Sequence, residues 1–493
     1  MIAVTSFISI ALFVWALENF GILQVSLDVK NIAFNAVSVM QDKTISDEER
    51  EKIIQKSSLR LFGAFFSILL RSAAAVVVSF LPILIVGYFA SIPIEAFTQF
   101  LSSWTVIGIA SGLILIYYFL FKRSKSKSAT DASQSHTNYN QTEQMIHKFA
   151  FGSIHLQQTG ARIEKPLFRK KLDSISAPEP IFITSLPRAG TTLLLEVLSR
   201  FPSLASHTYR DMPFLLSPLL WNSFSKTFQK KGELKERAHG DGMEIGFDSP
   251  EAFEEVLWKS FWPEYYHETH IDLWQQNDIK QEATDFFTEH MKKIIVLRQP
   301  QRKQDGRYIS KNNANIARIP LLKAMFPDAH IVIPVRYPLE HAGSMLRQHK
   351  NFIQQHAEEP FVKEYMSDIG HYEFGELHKP FDFPGMTIPT DNDDLTRPDY
   401  WLNYWIAAFE FLEQYTDTVT FVAYEQTCKE GKTALSALCE DLNIPFENKL
   451  DSAALLFHDP PPRRFDPAQF NNDAVERAES IYKRLTTPVL AVT

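Results

Sequence analysis

The sequence predicts an α/β protein, a mainly parallel sheet flanked by helices and preceded by an amino-terminal region of apolar helices. Three observations lead there. Short β-rich runs at Ile181–Thr184, Tyr308–Ser310, His330–Val335 and Val419–Ala423 alternate with helix-like segments such as Pro250–Ser260 and Trp401–Gln414. That alternation is the pattern of βα units, which close a parallel sheet. One of the runs passes through a tight turn directly into a helix, at Pro180 to Leu195. Long apolar runs, finally, crowd into residues 1–121.

Those apolar runs are read as a membrane-anchoring region with candidate spans at 2–17, 72–90 and 100–121. The first has no basic residue ahead of it and no small-residue cleavage site behind it, so a short span or anchor is expected rather than a cleaved signal. The second is long enough to cross a bilayer, with Pro82 as a tolerated kink. The third is uncharged and carries aromatic residues near both ends. Between the first two, Asp47 to Lys56 reads as a charged amphipathic helix. Basic residues flank the spans at Arg50, Lys52, Lys56, Arg60 and Arg71, and again at Lys122, Arg123, Lys125 and Lys127, whereas the connector Ser91–Gln99 has none. By the positive-inside rule both basic flanks face the cytoplasm and the connector lies outside. Residues 122–142 are polar, lack large aliphatic side chains and read as a flexible linker. The remaining residues, 143–493, form the globular domain.

Composition narrows the function. A formal charge of −8 excludes a general nucleic-acid binder. Two cysteines, Cys428 and Cys439, do not make a disulfide framework and are expected as buried free thiols. No Cys/His cluster has zinc spacing, and no metal is expected.

The turn after the first strand carries the chemistry. Pro187, Arg188, Ala189, Gly190, Thr191 and Thr192 lead into a leucine-rich helix start. Such a turn points backbone N–H groups outward, and the helix dipole adds partial positive charge. Gly190 lets a phosphate approach the backbone, Thr191 and Thr192 offer hydroxyl donors, and Arg188 supplies a positive charge. The four-residue spacing and Gly-Lys pair of a Walker A loop are missing. A second stretch, His330 to His349, is a strand ending in Arg336, then Pro338 opening a helix that carries Ser344. An arginine fork plus a hydroxyl at the carboxyl end of a strand suits a phosphate monoester.

Together, and in this order, the two stretches resemble the sulfotransferases that use 3′-phosphoadenosine 5′-phosphosulfate (PAPS). Arg188-Ala189-Gly190-Thr191-Thr192 is similar to the family's 5′-phosphosulfate loop. Arg336 and Ser344, eight residues apart, have the spacing of the pair that shares the 3′-phosphate. The family's Arg-Asp-Pro reads Arg336-Tyr337-Pro338 here. The resemblance covers about Pro180 to Leu485 and implies a P-loop-like sheet. It further implies Tyr424, at the end of the Phe421–Glu425 run, near the adenine, and Lys311, in Ser310-Lys311-Asn312-Asn313, near the transferring group. The family's late Arg-Lys-Gly is absent, and Arg463, with Arg464 after a proline run, stands in its place.

Sulfuryl transfer is an in-line displacement in which positioning and charge stabilisation supply most of the catalysis. Arg188 and Lys311 would stabilise charge on the leaving 5′-phosphate. In bacterial relatives an Asp-Ser-Pro-Glu segment lies between the phosphate motifs, and here it is Asp248-Ser249-Pro250-Glu251 followed by Glu254 and Glu255. With Pro250 opening a helix, Glu251, Glu254, Glu255 and Trp258 share a face. Glu254 is the expected base for the acceptor hydroxyl, Glu255 the next choice, and His207 and His239 rivals. The expected protein is a PAPS-dependent sulfotransferase of the bacterial inner membrane with its catalytic domain in the cytoplasm. Its partners are the lipid bilayer, PAPS and a hydroxyl or amine acceptor, with no nucleic acid. A Golgi enzyme, a P-loop-type kinase and a non-catalytic nucleotide-binding membrane protein are the alternatives.

Overall fold

The computed structural model describes residues 1–21, 25, 47–103, 106, 144, 147–148, 150–152, 154–225, 235–236, 244–245, 249–299, 306–389, 394–445, 449–460 and 462–487. The chain divides into two compact units, Met1–Ser135 and His136–Thr493.

In the first unit the run 2–17 is helical, within Ile2–Asn19. The run 72–90 is the carboxyl part of one helix, Asp47–Ala90, so the charged stretch 47–56 is that helix's amino end rather than a separate element. The part long and apolar enough to cross a membrane is Gly63–Ala90, which starts nine residues earlier than the composition of 72–90 suggests and takes in Arg71. Arg71 donates to the carbonyl of Phe20 at 2.6 Å, beyond the end of the first helix. The two helices pack on small side chains, with Ser6, Ser9, Ala16, Ala75 and Ser79 buried. Small residues let helix backbones approach closely. Outside that seam, Phe65, Phe66, Leu69, Leu70, Val77 and Ile85 are exposed. Of the run 100–121, only 100–103 and 106 are described, and the linker 122–142 lies outside the described residues.

The second unit is built on a five-stranded sheet. Its strands are β1 (Ile181–Ile183), β2 (Leu204–Ala205), β3 (Arg307–Lys311), β4 (His330–Val335) and β5 (Thr420–Ala423), in the order β2-β3-β1-β4-β5 and all parallel. Strand side chains alternate between faces. Ile181, Ile183, Ile309 and Val332 meet Leu194, Leu195, Leu435 and Leu438 on one side. Phe182, Tyr308, Ile331 and Ile333 meet Trp258, Ile294 and Met345 on the other. Both faces are covered, which is why these strands read as continuous apolar runs. From β1 the chain crosses to the β2 edge and returns through β3, then β4 and β5 add on the opposite side of β1. The loop after β1 therefore sits at the point where strand order reverses, where open α/β sheets leave a crevice.

One expected helix starts late. It begins at Glu255, not Pro250, and runs to Phe261. Pro250 is bridged to Thr208, and the amide of Glu251 donates to the carbonyl of His207 at 3.1 Å. The segment before Glu254 is thereby drawn into an extended pairing that a helix would break. Cys428 and Cys439 are buried and unpaired by disulfide.

Candidate active site

The loop from β1 to the Thr191–Leu198 helix is held in an uncommon backbone shape. Arg188 has φ 76° and Gly190 φ 96°. A non-glycine residue in the left-handed region costs about 1–3 kcal/mol and persists only where its surroundings over-determine it. They do so here. Ser185 Oγ donates to the carbonyl of Pro334 at 2.9 Å, and Thr184 Oγ1 to that of Asn313 at 3.2 Å. The carbonyl of Arg188 accepts from Arg336 Nη1 at 2.9 Å. Below the loop, the indole of Trp405 donates to His341 Nδ1 (3.1 Å), so Nε2 carries the ring proton and donates to the carbonyl of Pro187 (2.9 Å). Burial, then the positive charge of Arg336, pushes the His341 imidazole down to about 3, so it stays neutral and keeps this tautomer. No sequence signal marks His341 as a strut, because its two partners lie far away in the chain.

Four expected residues meet at this loop. Arg188 Nε donates to Ser344 Oγ at 3.4 Å. The ring of Tyr424 lies directly on Gly190, where a Cβ would come within 2.5 Å of Cδ2 and 2.6 Å of Cε2. The Arg336 guanidinium lies over the same ring at 5.3 Å. Ala189 is fully buried behind the turn, so it shapes the loop from within. Thr191, Thr192 and Lys311 line one cleft with Arg188.

The late basic segment lies against the helix that begins at Pro338. Glu340 accepts the backbone N–H groups of Arg464 and Phe465, and the Phe465 ring covers Gly343, where a Cβ would fall 2.3 Å from Cζ. Arg463 sits 3.8 Å above the ring of Tyr337. The tyrosine that replaces aspartate after Arg336 is thus the platform for Arg463. Arg347, on the same helix, lies over Phe465 at 5.2 Å. Burial, then the charges of Arg464 and Arg336, holds its guanidinium below the usual arginine range. An anion placed beside Arg347 would be stabilised by the same positive charges.

The acidic segment goes elsewhere. Glu254 is 1% exposed and accepts from Trp258 Nε1 and Asn315 Nδ2, both at 3.0 Å, and from the Tyr308 hydroxyl at 3.1 Å. Glu255 is paired with both terminal nitrogens of Arg318 at 2.9 Å and accepts from Asn312 at 2.7 Å and from Tyr266. Arg318 is itself stacked between Trp258 (4.4 Å) and Trp274 (4.1 Å). Burial alone would raise the Glu255 carboxyl, but Arg318, Tyr266 and Asn312 together outweigh it and hold the group below its ordinary value. Glu251 accepts from the Tyr209 hydroxyl at 2.6 Å. These carboxylates brace the core under the sheet, and Glu254 does not line the cleft as the expected base should, because its three donors close it off. His207 is buried between Asp211 (3.2 Å) and His290 (2.8 Å), and His239 and Asp248 lie outside the described residues.

The cleft carries other groups instead. With Arg188 and Lys311 it is lined by Asn313, His356, His371 and Glu373, and by the apolar Phe352, Met366 and Phe374. On an exposed turn, His267, His270 and Asp272 bring ligand atoms within 4.8 Å of one another, a grouping that the Cys/His spacing did not register. Asp272 already bonds His267 at 2.7 Å and lies 3.4 Å from His270, so the three groups satisfy one another.

Residues 180–378 match the model of the Sulfotransferase family. No curated protein matches the chain. Three crystal structures are similar to it. Sulfotransferase STF9 from Mycobacterium avium is 12% identical, with 65% of this chain and 80% of that one covered and a TM-score of 0.37. Sulfotransferase STF1 from Mycobacterium tuberculosis H37Rv is 14% identical, with 71% and 89% covered and a TM-score of 0.39. A sulfotransferase from Alicyclobacillus acidocaldarius is 10% identical, with 63% and 96% covered and a TM-score of 0.31.

Proposed function

With residues 180–378 a sulfotransferase-family domain, we propose that this chain moves the sulfuryl group of PAPS to a hydroxyl, or an amine, of an acceptor held in the cleft beside Arg188. One observation carries the reading. Arg188, Arg336, Ser344 and Tyr424 come from three separate stretches and converge around Gly190.

The chemistry follows from what each group offers. The loop amides, that of Thr191 among them, Thr192 and Arg188 bind the 5′-phosphosulfate, and Lys311 adds charge where the leaving phosphate gains it. Arg336 and Ser344, with Arg463 and Arg464 close by, bind the 3′-phosphate, and the positive charge that Arg464 and Arg336 place on Arg347 supports an anion there. Tyr424, packed on Gly190, lies near the adenine. The donor contributes a sulfuryl group already bonded to a good leaving group, so the protein's work is alignment and charge stabilisation.

Residues 1–121 are proposed as the membrane region and 143–493 as the transferase domain. The exposed apolar side chains of Gly63–Ala90 support residence in a bilayer. The basic flanks support a bacterial inner membrane with the transferase domain cytoplasmic.

The test is calorimetry with adenosine 3′,5′-bisphosphate and adenosine 5′-monophosphate on the purified full chain. Wild type should prefer the bisphosphate. Arg336→Ala should lose about 1.5–3 kcal/mol of that preference, roughly ten- to hundredfold in affinity. Equal affinity of wild type for the two nucleotides would sink the assignment.

A further inference from the structure

We infer that Glu373 is the general base for the acceptor, a role that rests on the transfer reaction proposed above. The carboxylate lines the cleft that Arg188, Thr191, Thr192 and Lys311 also line. It is tied to the donor loop through one side chain. Thr191 Oγ1 donates to Asn313 Oδ1 at 3.2 Å, and Asn313 Nδ2 donates to Glu373 Oε1 at 3.1 Å. Oε2 accepts no hydrogen bond among the described residues, so one lone-pair face stays available. Asn313 lies two residues after Lys311 at the end of β3, so the base and the charge on the leaving side are set from one strand end.

The segment around Glu373 is pinned from behind. The amide of Gly375 donates to His349 Nδ1 at 3.1 Å, the amide of Glu376 donates to His356 Nδ1 at 3.3 Å, and His378 Nδ1 donates to the carbonyl of Glu373 at 2.7 Å. Gly375 has φ 67°, and a Cβ there would come within 2.8 Å of the His356 ring, so the turn closes on that helix only with glycine.

The other cleft groups are less suited. His356 takes a backbone N–H at Nδ1, so its proton sits on Nε2, and burial disfavours a second one. It is a donor to the cleft, not a base. His371 Nε2 donates to the carbonyl of Ala252 at 3.1 Å and makes no hydrogen bond to the donor loop among the described residues. Glu254 is enclosed by its three donors.

In the step, a lone pair of the acceptor oxygen forms the new O–S bond while its proton passes to Glu373 Oε2. The bond between sulfur and the 5′-phosphate oxygen breaks, and its electron pair leaves on the bisphosphate.

Water, the smallest hydroxyl acceptor, makes the test independent of the natural one. Hydrolysis of radiolabelled PAPS by the detergent-purified full chain is measured beside calorimetric affinity for adenosine 3′,5′-bisphosphate. Glu373→Gln keeps the acceptor oxygen for Asn313 and should bind the bisphosphate as wild type does, while hydrolysis falls roughly 10²–10⁴-fold. Formate should partly restore Glu373→Ala and leave wild type unchanged. Wild-type hydrolysis in Glu373→Gln, a larger loss in His371→Gln, or no hydrolysis by a wild type that binds the bisphosphate overturns Glu373 as base. A wild type that does not bind the bisphosphate instead removes the transfer reaction on which the role depends.

Discussion

Gly190→Ala tests how the donor loop and the Tyr424 ring share one space. The new Cβ would stand 2.5 Å and 2.6 Å from two ring carbons, at a backbone φ of 96°. Two costs add. Holding an alanine in the left-handed region costs about 1–2 kcal/mol. Forcing an extra carbon into a packed contact costs about 1–3 kcal/mol. The ring cannot swing away freely, since Arg336 covers it and it is half-buried. The sum, about 2–5 kcal/mol, should lower the melting temperature by roughly 4–10 °C at about 2 °C per kcal/mol for a domain of this size. It should also weaken adenosine 3′,5′-bisphosphate binding, because moving the ring moves Arg336. The backbone share survives in Gly190→Ala/Tyr424→Ala, whereas the contact share vanishes. The pair should therefore be non-additive by about 1–3 kcal/mol. Thermal unfolding of the four proteins by intrinsic tryptophan fluorescence reads this directly. Strict additivity, or a Gly190→Ala chain as stable as wild type, would refute the packing of Tyr424 on the loop.

Two more outcomes are expected. The His341 imidazole is pushed down to about 3 and that of His349 to about 4, chiefly by burial, against about 6.5 in an unfolded chain. The unfolded state therefore takes up protons first, so stability is fully present above pH 6.5 and is lost as pH falls toward 4. Between pH 7 and pH 5 the loss is about 2 kcal/mol for each histidine, and a melting temperature that does not fall over that interval would contradict it. For the membrane region, cysteines placed at Ser135 should react only with a permeant label, and cysteines in Ser91–Gln99 with an impermeant one. The reverse pattern would overturn the orientation.

What the amino-acid sequence determined by itself was everything carried by near neighbours. Strand period, the Arg188–Thr192 turn with its one glycine, and the eight-residue step from Arg336 to Ser344 each lie within a single strand–turn–helix unit. Backbone geometry converts such spacing into position without help from the rest of the chain. Burial on both faces of the sheet is likewise written into the apolar runs themselves. The tertiary structure decided which charged side chains face the cleft. Glu254 and Glu255 look like site carboxylates in the sequence. They turn inward because Arg318, Tyr308 and Asn315, more than fifty residues later, supply the donors that make their burial tolerable. Glu373 carries no local signal, and only the contact with Asn313, sixty residues earlier, brings it to the donor loop. The start of the Glu255 helix was displaced in the same way, by pairing with Thr208 and His207. Local propensity sets an element's kind, but the direction a buried charge faces depends on partners that only the folded chain brings within hydrogen-bond reach.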